Sequence, residues 1–348
     1  VAGQAAPAGV SSGALLERLG LEPFRPRPPW WGPDLQTLRD TLRPDVLPQR
    51  PGTRLELPLG PSSQGTGGSL LAWLDPPAPE AGCGRPRALV VLLHGLGGSS
   101  QAEGVRRLGW CLNRAGLAVL RLNMRGAGEG RALASGTYAA RCSTDLAPAL
   151  EEARQLAAGG PLLAVGLSLG GTVLLNAVLD GVAELEGLVL VSSPLDLAHC
   201  SATISSPRNR FYERWLLERL RRQTLNDAPQ PSEELSQRLR RVASIRAFDA
   251  LITAPRWGYP SAEAYYRQAS PLPRLLAPEP GQAALPPTLV VQALDDPWVP
   301  AAGAQALRPP LEVVLSPGGG HNGFHGPGGC WSDQLVLRWL EQRLGSRS

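Results

Sequence analysis

The chain has 348 residues, 43% hydrophobic and 18% charged, an ordinary globular balance with length for one large core or for a core carrying an inserted domain. Its longest unbroken apolar run, Ala88–Leu93, is far too short to cross a bilayer, so no integral membrane segment is expected. The formal charge of +4 is local: residues 201–246 hold ten Arg against five Asp or Glu, every basic position is Arg, and no recognition motif accompanies them, which argues against a nucleic-acid partner.

The opening "VAGQAAPAGVSSG" lacks the basic end and apolar block of a secretory signal, and a start on valine reads as trimmed or renumbered; residues 1–22 are expected to form a flexible tail. A short strand around "LLAWL" lies between the Pro/Gly-rich loops "GPSSQGTGGS" and "DPPAPEAGCGRP". From Arg87 onward apolar runs alternate with helical patterns: "RALVVLLHG", "LAVLRLNMRG", "PLLAVGLS" and "LEGLVLVSS" read as strands buried on both faces of a parallel sheet. Between them "GVRRLGWCLNRAG" and "DLAPALEEARQLAAGG" space their apolar residues three or four apart and end at glycine, the pattern of amphipathic crossover helices.

The alternation breaks between Leu197 and about Pro273, where the chain turns Arg-rich and helical. Phe211, Trp215, Leu216 and Leu220 are expected on one inward helix face, and Leu235, Leu239 and Val242 on another. Strands resume with "PTLVVQALDD" and "LEVVLSPGGG", and "SDQLVLRWLEQRL" closes the chain as a helix with Ser332 as N-cap. This divides the chain into a core of residues 23–197 and 274–348 and a helical cap inserted at residues 198–273. Cys83, Cys111, Cys142, Cys200 and Cys330, odd in number and irregular in spacing, suit neither a disulfide framework nor a zinc module and point to a reducing, cytoplasmic setting.

Gly166-Leu167-Ser168-Leu169-Gly170 sits where a strand passes into a helix, the context of a nucleophile elbow. There the turn demands small residues two before and two after the serine, and aims free helix N–H groups at developing charge. A serine needs a base. Of His94, His199, His321 and His325, His321 follows the last strand after a Gly-rich bend and is the expected base, with His325 the runner-up; His199, opening the cap, reads as structural. "LLHGLGG" resembles an oxyanion loop, which assigns the donor amides to Leu96 and Leu169. For the acid, Asp295, Asp296 and Asp196 all lie near strand ends. "GAGEG" (126–130) lacks the full dinucleotide-loop spacing and an acidic partner, so no nucleotide cofactor is expected. The cap arginines read as solvated faces paired with Glu213, Glu218, Glu233 and Glu234, with peripheral membrane contact as the alternative.

Together these segments resemble the YheT-like family of α/β-hydrolases, from Pro23 to the C-terminal helix. The resemblance is carried by "PPWWGPDLQTL", "LLHGLGGSS", "LNMRG", "GLSLGG", "SIRAFDALITAPRWGYPSAEAYYRQAS", "LDDPWVP" and "GGGHNGF". It implies an α/β-hydrolase fold with an inserted cap and a serine hydrolase of carboxylic or lipid esters, working through an acyl-serine without metal or organic cofactor. "DPWVP" resembles the acid segment of many α/β-hydrolases, which selects Asp296 for the triad with Ser168 and His321. Two positions depart from the family: Asp34 and Ala134 stand where histidines are usual. Trp215, Trp257, Tyr259, Tyr265 and Tyr266 are candidates to line an acyl pocket, against a plainer role as the cap's own core. An acyltransferase using the same intermediate, or a non-catalytic lipid or partner-binding protein, are the alternatives.

Overall fold

Short runs of Val, Leu and Ala place alternate side chains on opposite faces of a strand, and here both faces are covered. In the computed structural model, which describes residues 12–48, 52–59, 67–82, 85–227, 230–278 and 280–345, the chain opens with α1 (Ser12–Arg18), α2 (Gly32–Leu42), β1 (Thr53–Pro58) and β2 (Ser69–Asp75). Strands and helices then alternate through β3 (Leu89–Leu93), α3 (Glu103–Arg114), β4 (Ala118–Leu122), α4 (Ser143–Leu156), β5 (Leu162–Leu167), α5 (Leu169–Leu179) and β6 (Gly187–Val191). A helical insertion follows, with α6 (Leu197–Ile204), α7 (Arg210–Leu225), α8 (Glu233–Arg241), α9 (Ile245–Phe248), a π-helical turn Asp249–Thr253, α10 (Ala254–Arg256), α11 (Ala262–Ala269) and α12 (Leu272–Leu276). The chain returns through β7 (Thr288–Ala293), α13 (Ala302–Ala306), β8 (Glu312–Ser316), the two-residue strands β9 (His325–Gly326) and β10 (Gly329–Cys330), and α14 (Trp331–Gly345).

Among the described residues the main sheet has the order β1-β2-β4-β3-β5-β6-β7-β8. It is parallel from β4 to β8, while β2 is antiparallel to β4 and β1 to β2. Strand β5 shows how the core divides: Leu162 and Ala164 join the apolar cluster on one face, Leu163 and Val165 the cluster on the other. The insertion holds a third cluster, built on Tyr212, Leu216, Leu217, Leu220, Leu239 and Phe248.

Several expectations are corrected. The expected tail contains α1, whose Leu15 and Leu16 are buried in the cluster that holds Leu163 and Val165; residues 1–11 of that segment lie outside the described residues. Phe211 points outward and Trp215 stays partly exposed at the edge of the buried stripe, while Tyr212, Leu216, Leu217 and Leu220 point inward, so the buried face of α7 is turned from the expected one. Ser332 lies one residue inside α14 and is buried, with Oγ 3.2 Å from Cys330 Sγ, so it does not cap the helix. Cys111, Cys142, Cys200 and Cys330 are free thiols, and Cys83 lies outside the described residues.

The segment "LNMRG" after β4 explains itself through buried polar contacts. Asn123 accepts from the Ser100 amide and donates to Leu71 O and Ser100 Oγ. Arg125 makes a bidentate pair with Asp145 at 2.7 and 2.9 Å, both side chains almost fully buried. Burial raises the Asp145 pKa even with Arg125 beside it, so the pair contributes little net stability, but either member alone would be costly. Asp145→Ala is therefore expected to lower unfolding stability by about 3–5 kcal/mol, read as a shifted urea midpoint.

Candidate active site

Strand β5 ends at Leu167 and α5 begins at Leu169, leaving one residue to reverse the chain. Ser168 takes φ 53°, ψ −128°, a strained conformation for a residue with a side chain, costing on the order of 1–3 kcal/mol. Backbone contacts hold it: the Ser168 amide donates to Val191 O at 2.8 Å, and Ser168 O accepts from the Gly171 amide at 3.0 Å. A Cβ on Gly166 would lie 2.2 Å from Gly171 Cα, and one on Gly170 would lie 2.5 Å from the carbonyl oxygens of Leu93 and His94. The turn closes only because both are glycine.

Ser168 Oγ is 2.9 Å from His321 Nε2, and His321 Nδ1 is 2.9 and 3.2 Å from the two carboxylate oxygens of Asp296. Asp296 is held in turn by the amides of Trp298 and Val299, at 2.8 and 3.0 Å from Oδ1, and by Gln292 Nε2 at 3.2 Å from Oδ2. The Asp296 side chain is fully buried. Asp295, its neighbour, points the other way and accepts from the Gly320 amide at 2.9 Å, bracing the glycine bend before His321. Asp196 caps α6 by accepting from the His199 amide at 3.0 Å, and His199 itself is exposed.

His325 is buried, with Nε2 2.9 Å from Asp40 Oδ1, close in distance but off the line of a well-formed hydrogen bond. Arg107 also reaches Asp40. Burial lowers the His325 pKa, the largest influence on it, and its backbone is clamped by Gln36, whose Oε1 accepts from the His325 amide and whose Nε2 donates to His325 O. The next residue, Thr37, accepts from the His321 amide at 2.9 Å. The segment "PPWWGPDLQTL" thus holds the histidine loop in place from the other end of the chain.

The Leu96 and Leu169 amides donate to no protein acceptor among the described residues. The loop carrying Leu96 lies directly against the serine: a Cβ on Gly95 would stand 2.9 Å from Ser168 Cβ. His94 fixes this loop from beneath, lying 2.8 Å from Gly95 O through Nδ1 and accepting from the Met124 amide at 3.2 Å through Nε2. Tyr138 accepts from the Gly97 amide at 2.7 Å and packs edge-on against the His94 ring. Burial lowers the His94 pKa to about 4, which keeps the imidazole neutral and able to accept from Met124.

Trp298 stacks on His321 with ring centroids 4.4 Å apart and planes inclined by 30°, and Tyr212 and Trp215 of α7 pack against Trp298 in turn. Trp298, Tyr138, Gln36 and Thr37 are site residues that sequence reasoning missed; "PPWWGPDLQTL" and "LDDPWVP" were conspicuous as motifs, but nothing local to them shows what they touch. A cavity of about 810 Å³ opens beside Ser168 and His321. Trp215, Tyr265 and Tyr266 line it, whereas Trp257 donates to Thr137 O and Tyr259 packs on Tyr265 outside it. At the wall of the insertion, Asp249 accepts from Thr253 Oγ1 and the Tyr266 hydroxyl, each at 2.7 Å, and burial raises its pKa to about 6. Asp34, one of the two departures from the family pattern, accepts from Tyr212 and Arg208 and so ties α2 to α7; Ala134 is simply buried. Among the described residues no cluster of three or more His, Cys, Asp or Glu could hold a metal ion, and no helix is long and apolar enough to cross a membrane.

A strand-to-helix serine bonded to a histidine after the last strand defines an α/β-hydrolase, and residues 88–326 match the family model for the alpha/beta hydrolase fold. The chain belongs to that family, and within it to the group of the putative esterase YheT of Escherichia coli, with which it shares 32% identity over 84% of this chain and 82% of that protein. It is also similar to human phospholipase ABHD3, 26% identical over 68% of this chain, although the match spans only 59% of that longer protein. The crystal structure of 2,6-dihydroxy-pseudo-oxynicotine hydrolase superposes with a TM-score of 0.55 over 90% of this chain and 73% of that one, at 16% identity, a likeness of fold.

The buried His94 has a consequence for stability. The folded chain keeps it neutral down to about pH 4, whereas the unfolded chain protonates it near the ordinary value of 6.5, so unfolding takes up a proton between these values. Stability is therefore expected to fall as pH drops from about 6.5 to about 4, and His94→Gln to flatten that part of the curve, measured by urea unfolding across the range.

Proposed function

We propose that the protein hydrolyses carboxylic esters, lipid or acyl esters among them, through an acyl-serine intermediate without metal or organic cofactor. The hydrogen-bonded chain from Ser168 through His321 to Asp296 is the observation that carries this reading. His321 Nε2 takes the Ser168 proton as Oγ attacks the ester carbonyl, and the Leu96 and Leu169 amides receive the oxyanion. Collapse of the tetrahedral species expels the alkoxide, which takes the proton from His321; water then repeats the sequence against the acyl-serine and releases the acid. Asp296 keeps Nδ1 protonated and offsets the charge on the imidazolium. Donors of the oxyanion kind are worth about 3–4 kcal/mol each, which gives the fixed loop from His94 to Gly98 a reason to be so firmly braced.

The likeness to a putative esterase and to a phospholipase supports the ester class. The insertion, residues 198–273, acts in this reading as a cap that shapes the acyl side of the cavity, supported by the lining contributed by Trp215, Tyr265 and Tyr266. A cytoplasmic setting is supported by the free thiols.

A fluorophosphonate probe is expected to label Ser168 alone, with labelling and esterase activity both lost in Ser168→Ala and the fold kept. Labelling that persists in the alanine variant would reject the assignment, and product analysis with an added acceptor alcohol separates hydrolase from acyltransferase. Asp296→Asn is expected to lower turnover by up to about 10⁴-fold, with Asp295→Asn and Asp196→Asn milder. His321→Ala is expected to abolish turnover, while His325→Ala leaves most of it. A reversed order in either series would move the acid or the base to another residue.

A further inference from the structure

The outer face of α7 combines side chains that rarely share a solvated helix. Phe211 is 70% exposed and Trp215 36% exposed, spaced four apart and so on one side of the helix. Arg214, Arg219 and Arg222 are exposed on the same side, and Glu218 is the acid that faces outward with them. Glu213 turns inward, accepting from Ser205 Oγ and the Ile245 amide. Glu218 is taken by Arg221 and Arg222, whereas Arg214 and Arg219 have no carboxylate partner among the described residues. The Arg219 guanidinium instead lies over the Trp215 ring, 4.5 Å from its centroid. Helix α2 is tied to the start of α7 by the bonds from Arg208 and Tyr212 to Asp34.

This face is continuous with the site. Trp215, Arg219 and Arg222 line the cavity that holds Ser168 and His321, so the exposed aromatic and arginine side chains stand at its mouth. We propose that this face of α7 docks on an anionic lipid surface, from which an ester lipid passes directly into the Ser168 cavity. The second half of this proposal rests on the ester-hydrolase reading; the docking does not.

The chemistry is that of a membrane interface. Indole and phenyl rings settle at headgroup depth, and arginines extend their apolar stems along them while the guanidinium groups meet lipid phosphates. The unpaired arginines give charge complementarity to anionic headgroups. An acidic protein surface would satisfy the same charges, but seated there it would cover the opening through which substrate must enter. A lipid surface supplies the substrate at that opening.

The test is sedimentation of the full chain with vesicles of phosphatidylcholine alone and of phosphatidylcholine mixed equally with phosphatidylglycerol, at low and raised salt. Ser168→Ala is used for binding so that no lipid is consumed. The mixed vesicles are expected to bind the protein, salt to release it, and the double variant Phe211→Ser, Arg214→Gln to weaken binding at least about tenfold. Neither substituted residue lines the cavity, so that variant should hydrolyse a soluble short-chain ester at the parent rate, which also shows that it is folded. Absence of binding to mixed vesicles at low salt, equal binding to both vesicle types, or undiminished binding by the double variant would overturn the proposal. Vesicle binding without any esterase activity in the parent would instead leave docking standing and remove the ester-hydrolase reading.

Discussion

The one-residue reversal between β5 and α5 is the constraint on which the site depends. It brings α5 so close to β3 that Gly170 lies against the carbonyls of Leu93 and His94. That approach sets Ser168 beside Gly95, and hence beside the loop that carries Leu96. Strain at Ser168 of a few kcal/mol persists because the surroundings over-determine it: a parallel strand on either side of β5, a fully buried α5, and the Val191 carbonyl on the Ser168 amide. A turn held this firmly lets neighbouring loops be positioned against it.

Around the turn, the candidate residues and their loops rest on further polar side chains, some near in sequence and some from a distant part of the chain. Thr37 and Gln36 of α2 hold the backbone at His321 and His325, Asp295 holds Gly320, and Gln292 steadies Asp296. His94 and Tyr138 hold the loop at Gly95 and Gly97. The burial of these polar groups is not a cost to the fold in isolation, because each is matched by a backbone donor or acceptor that the loops would otherwise leave unpaired. Two histidines show how burial separates roles: His94 is kept neutral within the loop, whereas His325 sits beside Asp40 and Arg107 in a structural cluster.

The helical insertion is attached at several well-buried polar points. Asp227, just past α7, accepts from the Gly136 amide and pairs with Arg131 and Arg256, and the Tyr265 hydroxyl of α11 accepts from the Ala140 amide. Through Trp215 and Trp298 the insertion also reaches the His321 ring. The geometry of the His321 imidazole and the outer helix α7 are therefore linked by a short run of packed aromatic rings.

Much of this protein was legible from local pattern alone. The apolar runs of β3 to β8, the crossover helices, the elbow at Ser168 and the insertion after Leu197 all have signatures within a few residues, because strand burial, helical periodicity and a tight turn act over that distance. The pairing of His321 with Asp296 was reached by position after strands and by resemblance, and tertiary structure supplied the distances. Sequence could not find α1, the role of Gln36 and Thr37, the stacking of Trp298, or the outward turn of Phe211. Each depends on what a distant segment presents: α1 on the core surface that receives Leu15 and Leu16, the helix face of α7 on which side already carries Leu216, Leu217 and Leu220. Periodicity identifies an amphipathic helix but allows neighbouring apolar residues to compete for the buried stripe, and only the shape of the partner surface decides among them.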